Sequence, residues 1–504
     1  FLCLITLVVD AINLIRENGM RENSYYYHLG DGTHAYHVNL ETGSSIYFKC
    51  VFADNKNFKC GGRAILRLGG AFKHSQPHNH NPDPDYVGQR HFRENILNEI
   101  ENARFVSFHD ILDEYRRDRR YSARVRCRMT MRRLRGAMWR TRMKSFPAIP
   151  HTLKELTQVL LNPQYRAKVA STIDGSGNLY AGSCTATDGS HNVLFISERM
   201  IDFLKNIKVI QSDGTFRARP LMPASAQCFV LVTPWKNCVV PLGWVLMERK
   251  SQSAYSAVFR MLKHLCPQFD PDVIITDWEY AQQKAWQDAF PNAQIQGCLW
   301  HLCRAFIKKA NKLGIFRFRT ALPSLTDYIR KACAICLLPV RYFKVGLGVL
   351  RDEALAEDVL LAFILREFFN YVENKWINVL PRRKWMRLFN SLERTNNLCE
   401  SHNKMLRTKV GAYRPNMWAF IDALSKLEHN AHLDSMLLNE GGQARRTRPC
   451  RSVWTDNNLR AISSDLVEQV FHNRNETVSN FLRKAIRLFH GAFDAHLHNE
   501  IGRE

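Results

Sequence analysis

The sequence predicts an α/β protein in which a small β-rich module and a basic helical region precede the main domain. Three observations predict it. Between about 201 and 410, apolar runs of strand length alternate with amphipathic stretches of helical period. Ahead of that, residues about 22–85 are Tyr, Phe and Ile runs broken by Gly, Asn and Asp, as short strands and turns require. Behind it, residues about 411–504 read as helix, as in MWAFIDALSKLEHNAHLDSML (417–437). A chain of 504 residues suggests two to four domains, and 45% hydrophobic residues suffice for a sizeable core. The sequence contains no internal repeat.

The chain opens FLCLITLVVDAINLI, an apolar start like a signal-peptide core but without a basic flank or small-residue cleavage site. We read it as a truncated start. The module that follows carries Cys50, Cys60, His78 and His80 in the spacing C-x9-C-x17-H-x-H. Two thiols and two imidazoles are the donor set of tetrahedral Zn²⁺. His74 is an alternative ligand, and two buried cysteines beside a His-rich surface loop are the metal-free alternative. So small a module needs a staple, which favours zinc.

Residues about 88–200 read as mostly helical and very basic. The segment 116–144 holds thirteen Arg or Lys against one Asp. Met129, Met131, Leu134, Met138 and Trp139 interleave apolar groups, so it is expected as an amphipathic helix. Arg124, Arg126, Arg132, Arg133 and Arg135 are the candidate DNA-phosphate contacts. A solvated helix or a nuclear-import signal are the other readings. For the α/β region, strands are expected at 207–216, 227–235, 239–249, 272–277 and 294–299, and helices at 252–266 and 279–289. The stretch 301–393 is expected as a helical insertion, and EGGQARRTRPCRS (440–452) as a linker.

Charge points to the partner. Lys and Arg number 71 against 47 Asp and Glu, a net charge of +24. Such a balance favours a polyanion. No apolar run of 18 residues supports a membrane-spanning helix. Fourteen irregularly spaced cysteines make no disulfide framework, which fits an intracellular, reducing location.

Three acidic residues stand in three distinct settings. Asp213 lies in VIQSDGTF (209–216), Asp277 closes the strand-like DVIITDWE (272–279), and Glu400 lies in the helical RTNNLCESHNKML (394–406). Carboxylate oxygens suit Mg²⁺ or Mn²⁺, and two such ions can activate one oxygen and stabilise another in phosphoryl transfer. Taken singly, each residue has an ordinary alternative. Asp213 before Gly214 fits a turn, Asp277 a helix cap, and Asn397 with Glu400 a capping box. Asn397 and Lys404 share a helical face with Glu400 and could orient it or touch phosphate. Cys298 and His301 form C-x2-H after the fifth strand, with Cys303 a possible third ligand. Cys333 and Cys336 read as core.

DGTF, then ITDWEYAQQKAWQDAFPNAQIQGCLWHL (275–302), then RTNNLCES resemble the catalytic blocks of Mutator-like element (MULE) transposases, in order, over roughly 200–410. That resemblance implies a ribonuclease-H-like core with Asp213, Asp277 and Glu400 as its metal-binding acids, and it includes the Cys298/His301 pair. YFKCVFADNKNFKCGGRAILRL followed by HNHNP is similar to the FLYWCH-type zinc finger, with Phe48 or Tyr47 where a tryptophan is usual. Together they imply a nuclear DNA transposase that uses Mg²⁺ or Mn²⁺ and Zn²⁺ and acts on double-stranded DNA, as a homo-oligomer when active. The alternatives are a domesticated, non-catalytic zinc-finger protein acting in transcription control, and an RNA-directed nuclease of the same metal chemistry.

Overall fold

A computed structural model describes residues 14–18, 24–30, 34–55, 59–391, 393–411, 414–443, 450–470 and 473–501. The apolar start thus lies outside the described residues, and so does part of the expected linker. The chain divides into two compact units, Phe1–Pro147 and Ala148–Glu504.

The first unit begins with six antiparallel strands in sequential order: β1 Leu14–Asn18, β2 Tyr25–Leu29, β3 Ala35–Glu41, β4 Ser45–Cys50, β5 Arg63–Arg67 and β6 Phe72–Gln76. One face packs a small core of Leu14, Tyr27, Tyr36, Phe48, Ala64 and Leu66. Four helices follow, Tyr86–Asn102, Phe108–Arg117, Ala123–Arg128 and Met131–Ser145. They share a core built around Phe92, Ile96, Leu112, Leu134 and Met138.

The basic segment 116–144 is therefore not one helix. Ser122 caps a new helix by accepting from Val125 N, and Thr130 precedes another. The Ser122 hydroxyl offers the backbone an alternative to continuing the preceding helix, while Thr130, in extended conformation, breaks the chain direction without a side-chain cap bond. Trp139, expected to face inward, is 57% exposed.

In the second unit, the region expected to be mostly helical up to about 200 is helical through Ala170 and again only from Glu198. Between these helices it forms two strands, β7 Tyr180–Thr185 and β8 His191–Phe195. A TDGS turn closes the hairpin: Ala186 N donates to Ser190 O, and Asp188 Oδ1 accepts from Ser190 N and Oγ.

These two strands extend a seven-stranded sheet. Its other members are β9 Val209–Thr215, β10 Gln227–Trp235, β11 Cys238–Met247, β12 Val273–Thr276 and β13 Gln294–Gly297, in the order β13-β12-β9-β10-β11-β8-β7. Strands β9, β10 and β11 are antiparallel neighbours, while β12 lies parallel to both β9 and β13. The near-continuous apolar sequences of β10 and β11 match their burial on both faces. Helices Gln252–Leu265 and Tyr280–Ala289 fall where the apolar period places them.

A second core holds the helices between Leu299 and Glu357 and the Val359–Val372 helix. The expected C-terminal helical region divides between the two cores. Met417–Asn439 packs against β11 and the sheet core. Leu459, Leu466, Phe481 and Leu482, from helices Cys450–Gln469 and Arg474–Ile501, join the insertion's core instead.

Candidate metal centres

In the first unit, Cys50, Cys60, His78 and His80 converge, with one donor atom from each within 4.8 Å of the others. Cys50 ends β4, Cys60 follows the next turn, and the two histidines follow β6, with a bend at Asn79 and His80. Cys50 Sγ lies 3.3 Å from His80 Nε2, and Cys60 Sγ lies 3.4 Å from His78 Nδ1. Each sulfur accepts a backbone N–H two residues on, Cys50 from Phe52 and Cys60 from Gly62. Gly62 has to be glycine, since a Cβ there would stand 2.5 Å from the His78 ring.

The nitrogens that face away are also held. His78 Nε2 pairs with Tyr36 Oη at 2.8 Å, Tyr36 Oη with His74 Nδ1 at 2.9 Å, and His80 Nδ1 with Asn81 O at 2.8 Å. Partners on the far nitrogen are what a metal-ligating histidine needs to fix its tautomer. His74 thus belongs behind a ligand rather than among the ligands.

Burial pushes the Cys50 thiol up to about 12, and backbone donation from Phe52 only partly offsets it. Burial and the imidazoles of His34, His80 and His74 hold His78 down near 4, hence neutral and ready to ligate. A buried Cys50 thiol that resists ionising beside the neutral His78 imidazole fits a site completed by a dication, and the donor set fits zinc.

In the second unit, Asp213 sits near the end of β9 and Asp277 directly follows β12. Because the two strands are adjacent and parallel, both aspartates emerge at one edge of the sheet. Gly214 lets β10 approach closely, since a Cβ there would stand 2.0 Å from Gln227 Oε1. Ser212 is held by Gln282 Nε2 at 2.9 Å and Trp286 Nε1 at 3.1 Å, which fixes the backbone beside Asp213.

Across from them lies the helix Asn397–Val410, anchored from behind by buried His402, whose Nε2 accepts from Trp244 Nε1 at 2.9 Å. It turns one stripe, Asn396, Glu400 and Asn403, toward the aspartates. Asn396 Nδ2 donates to Asp277 Oδ1 at 2.5 Å, and Asn403 Nδ2 donates to Asp213 Oδ2 at 3.2 Å. Asn397, expected to orient Glu400 or touch phosphate, is exposed, and it is the neighbouring buried Asn396 that holds a carboxylate, that of Asp277. The helix begins at Asn397, one residue earlier than a capping box at Asn397 requires, so the N-cap position falls to Asn396, which turns inward. Lys404 is exposed.

His301 stands between the acids, with Nδ1 2.7 Å from Asp277 Oδ1 and Nε2 4.0 Å from Glu400 Oε1. Asp277, Cys298 and His301 form the second donor cluster among the described residues. The third donor is Asp277, since Cys303 instead packs with Cys333 and Cys336 in the buried core of the insertion.

Burial and the Asp277 charge raise Asp213 to about 7. Burial opposes protonation of His301, but contact with Asp277 and Cys298 outweighs it and holds the imidazole above its ordinary range. Carboxylates this close repel one another unless a cation joins them. The buried amide oxygens of Asn396 and Asn403 have no hydrogen-bond partner among the described residues. Carboxylates and orphaned amide oxygens at one locus fit a hard divalent cation.

Of the five candidate DNA-contacting arginines, three are engaged within the fold. Arg126 Nη1 donates to Arg116 O, Arg133 Nη1 to Gln89 Oε1 and Arg128 O, and Arg124 lies 3.6 Å from Asp85. Arg132 and Arg135 are exposed on the last helix of that unit. Among the described residues, no helix is long and apolar enough to cross a membrane.

No curated protein matches the chain. The family model described as the MULE transposase domain matches residues 209–305, a span that takes in Asp213, Asp277, Cys298 and His301 and stops short of Glu400.

Proposed function

We propose that this chain is a nuclear DNA transposase of the MULE type that cuts transposon ends and joins them to target DNA. The observation that carries the reading is the meeting of Asp213 and Asp277, at one sheet edge, with the helix of Glu400, through Asn403 and Asn396. The sheet supports a ribonuclease-H-like core: three antiparallel strands β9–β11, with β12 and β13 added in parallel beyond β9.

Asp213, Asp277 and Glu400 would hold Mg²⁺ or Mn²⁺, which supply an activated oxygen and charge stabilisation when bound. The remaining steps fall to the chain's own groups. Asn403 and the Gly214 N–H hold the Asp213 carboxylate, and Asn396 and His301 hold Asp277 through one oxygen, Oδ1. Glu400, with its side chain 56% exposed, faces the approaching strand. In the proposed reaction, hydrolysis at the transposon end frees a 3′-hydroxyl, which then attacks target DNA. The first unit's FLYWCH-like zinc module and exposed arginines add duplex affinity, and the active form is a homo-oligomer.

Asp213→Ala, Asp277→Ala and Glu400→Ala should each abolish metal-dependent cleavage of transposon-end DNA while leaving duplex binding within about twofold, because phosphate contacts elsewhere supply affinity. Cleavage at the normal rate by any of the three would remove that residue from the site. Duplex binding by a wild-type chain that never cuts would favour the domesticated, non-catalytic reading.

A further inference from the structure

Two half-exposed aromatic rings stand beside the acids. Phe216 and Tyr280 each lie three residues beyond an aspartate, Asp213 and Asp277, and are 50% and 55% exposed. The large rings of the sheet core, such as Trp244, Phe229 and Trp286, are by contrast fully buried. Because β9 and β12 are parallel neighbours, both exposed rings emerge at the sheet edge that carries the acids.

A lysine joins them. Lys250 Nζ lies 5.2 Å over the Phe216 ring and 2.6 Å from Glu279, the neighbour of Tyr280. Beside Tyr280 opens a cleft of about 600 Å³ whose polar lining includes Lys284, Gln287, Asn292, Gln294, Lys384 and Arg387. Its wall is built, not incidental. The Tyr280 ring meets buried Trp385 edge-on at 5.7 Å, and Gln294 Nε2 donates to Arg387 O at 3.0 Å. The segment 374–391 contributes Lys375, Arg382, Arg383, Lys384 and Arg387 and no carboxylate. Lys284 is neutralised by Asp288 at 2.6 Å, so the positive charge of the cleft comes from exposed Lys384 and Arg387.

We infer that Phe216 and Tyr280 are stacking platforms for unpaired bases of a DNA strand at the acidic site, and that the cleft beside Tyr280 carries that strand's phosphates. Every base has a π-face, so aromatic faces bordered by cations bind single strands with little sequence preference. A duplex keeps those faces stacked inside. The preferred substrate is therefore DNA with a splayed or single-stranded end. The inference rests on the DNA reading proposed above, and its test separates the two.

The full-length protein, without added divalent metal so that no strand is cut, is titrated with three probes. One is a blunt duplex, one the same duplex with a short 3′ single-stranded DNA tail carrying 2-aminopurine, and one the same with an RNA tail. The wild type should bind the DNA-tailed probe more tightly than the blunt one and quench the 2-aminopurine. Phe216→Ala and Tyr280→Ala should each lower tailed-probe affinity by about 5- to 150-fold and relieve the quenching. Tyr280→Phe should restore both. The double variant Lys384→Glu, Arg387→Glu should weaken the tailed complex and flatten its salt dependence, with blunt-duplex binding unchanged throughout. Equal affinity for tailed and blunt probes, or alanine variants that bind and quench like wild type, would overturn the platform and leave the DNA reading standing. A tighter RNA tail would overturn the assignment to DNA, and a wild type that binds none of the probes would overturn both readings.

Discussion

Asn396 and Asn403 show how much of a metal centre can rest on neutral side chains. Each places an amide nitrogen on one aspartate, and together with Glu400 they fill a single helical stripe, so in the proposed centre the helix would bring a ligand and the means of aiming the other two. Groups that orient ligands typically change metal affinity by about 10- to 100-fold when removed. Asn396→Leu and Asn403→Leu, near-isosteric and without donors, should raise the Mn²⁺ concentration for half-saturation by about that factor, read by electron paramagnetic resonance on the DNA-free protein. Asn397→Leu, on the exposed face, is the control. A wild-type isotherm in both buried variants would confine these asparagines to packing. The sequence offers two adjacent asparagines and no means of choosing between them. Which one turns inward depends on where the helix begins and on which of its faces docks, and docking is set by a tryptophan 158 residues away, Trp244 against His402.

At the scale of elements, the sequence announced most of what it built. Strands β9 to β13 and the two helices among them lie within a few residues of their apolar runs, because burial on both faces leaves a strong pattern. Strands β7 and β8 were less legible: YAGSCT is small and polar, and only the Asp-Gly of the intervening turn marks a hairpin. The basic segment misled in another way. Its charge suggested one DNA-facing helix, yet Ser122 and Thr130 divide it, and several guanidiniums bind backbone carbonyls to hold the pieces together. The arginines therefore separate by role. Arg132→Ala with Arg135→Ala should weaken duplex binding for every sequence and lower the slope of log affinity against log salt by up to about 1.8, near 0.9 for each phosphate no longer neutralised. Arg126→Ala should instead lower the melting temperature, because it leaves Arg116 O without that donor. An unchanged slope in the Arg132, Arg135 variant would place these side chains facing solvent or another receptor.

For the whole molecule, the two units differ in what holds them. Among the described residues, the six-stranded sheet rests on a core cluster of six buried residues, whereas the second unit has two extensive cores. A sheet with so little apolar burial would gain much of its stability from a metal held by Cys50, Cys60, His78 and His80. A zinc chelator should therefore abolish hydrogen-exchange protection in β3 to β6 while leaving β9 to β12 protected. Equal protection with and without chelator would mean that Cys50, Cys60, His78 and His80 hold no structural metal. The second unit is instead closed from its far end. Arg394, two residues before Asn396, forms a buried ion pair with Asp456, and the helices that follow complete the insertion's core. This connectivity makes the proposed site a matter of timing. Glu400 follows Asp277 by 123 residues. At about 5–20 residues per second, the ribosome delivers the two aspartates roughly 6–25 s before their glutamate, and the clasp at Asp456 comes later still. Translation alone would thus postpone assembly of the proposed site until Glu400 has been made and its clasp until Asp456 has, and a product terminated between Asp277 and Glu400 lacks the glutamate altogether.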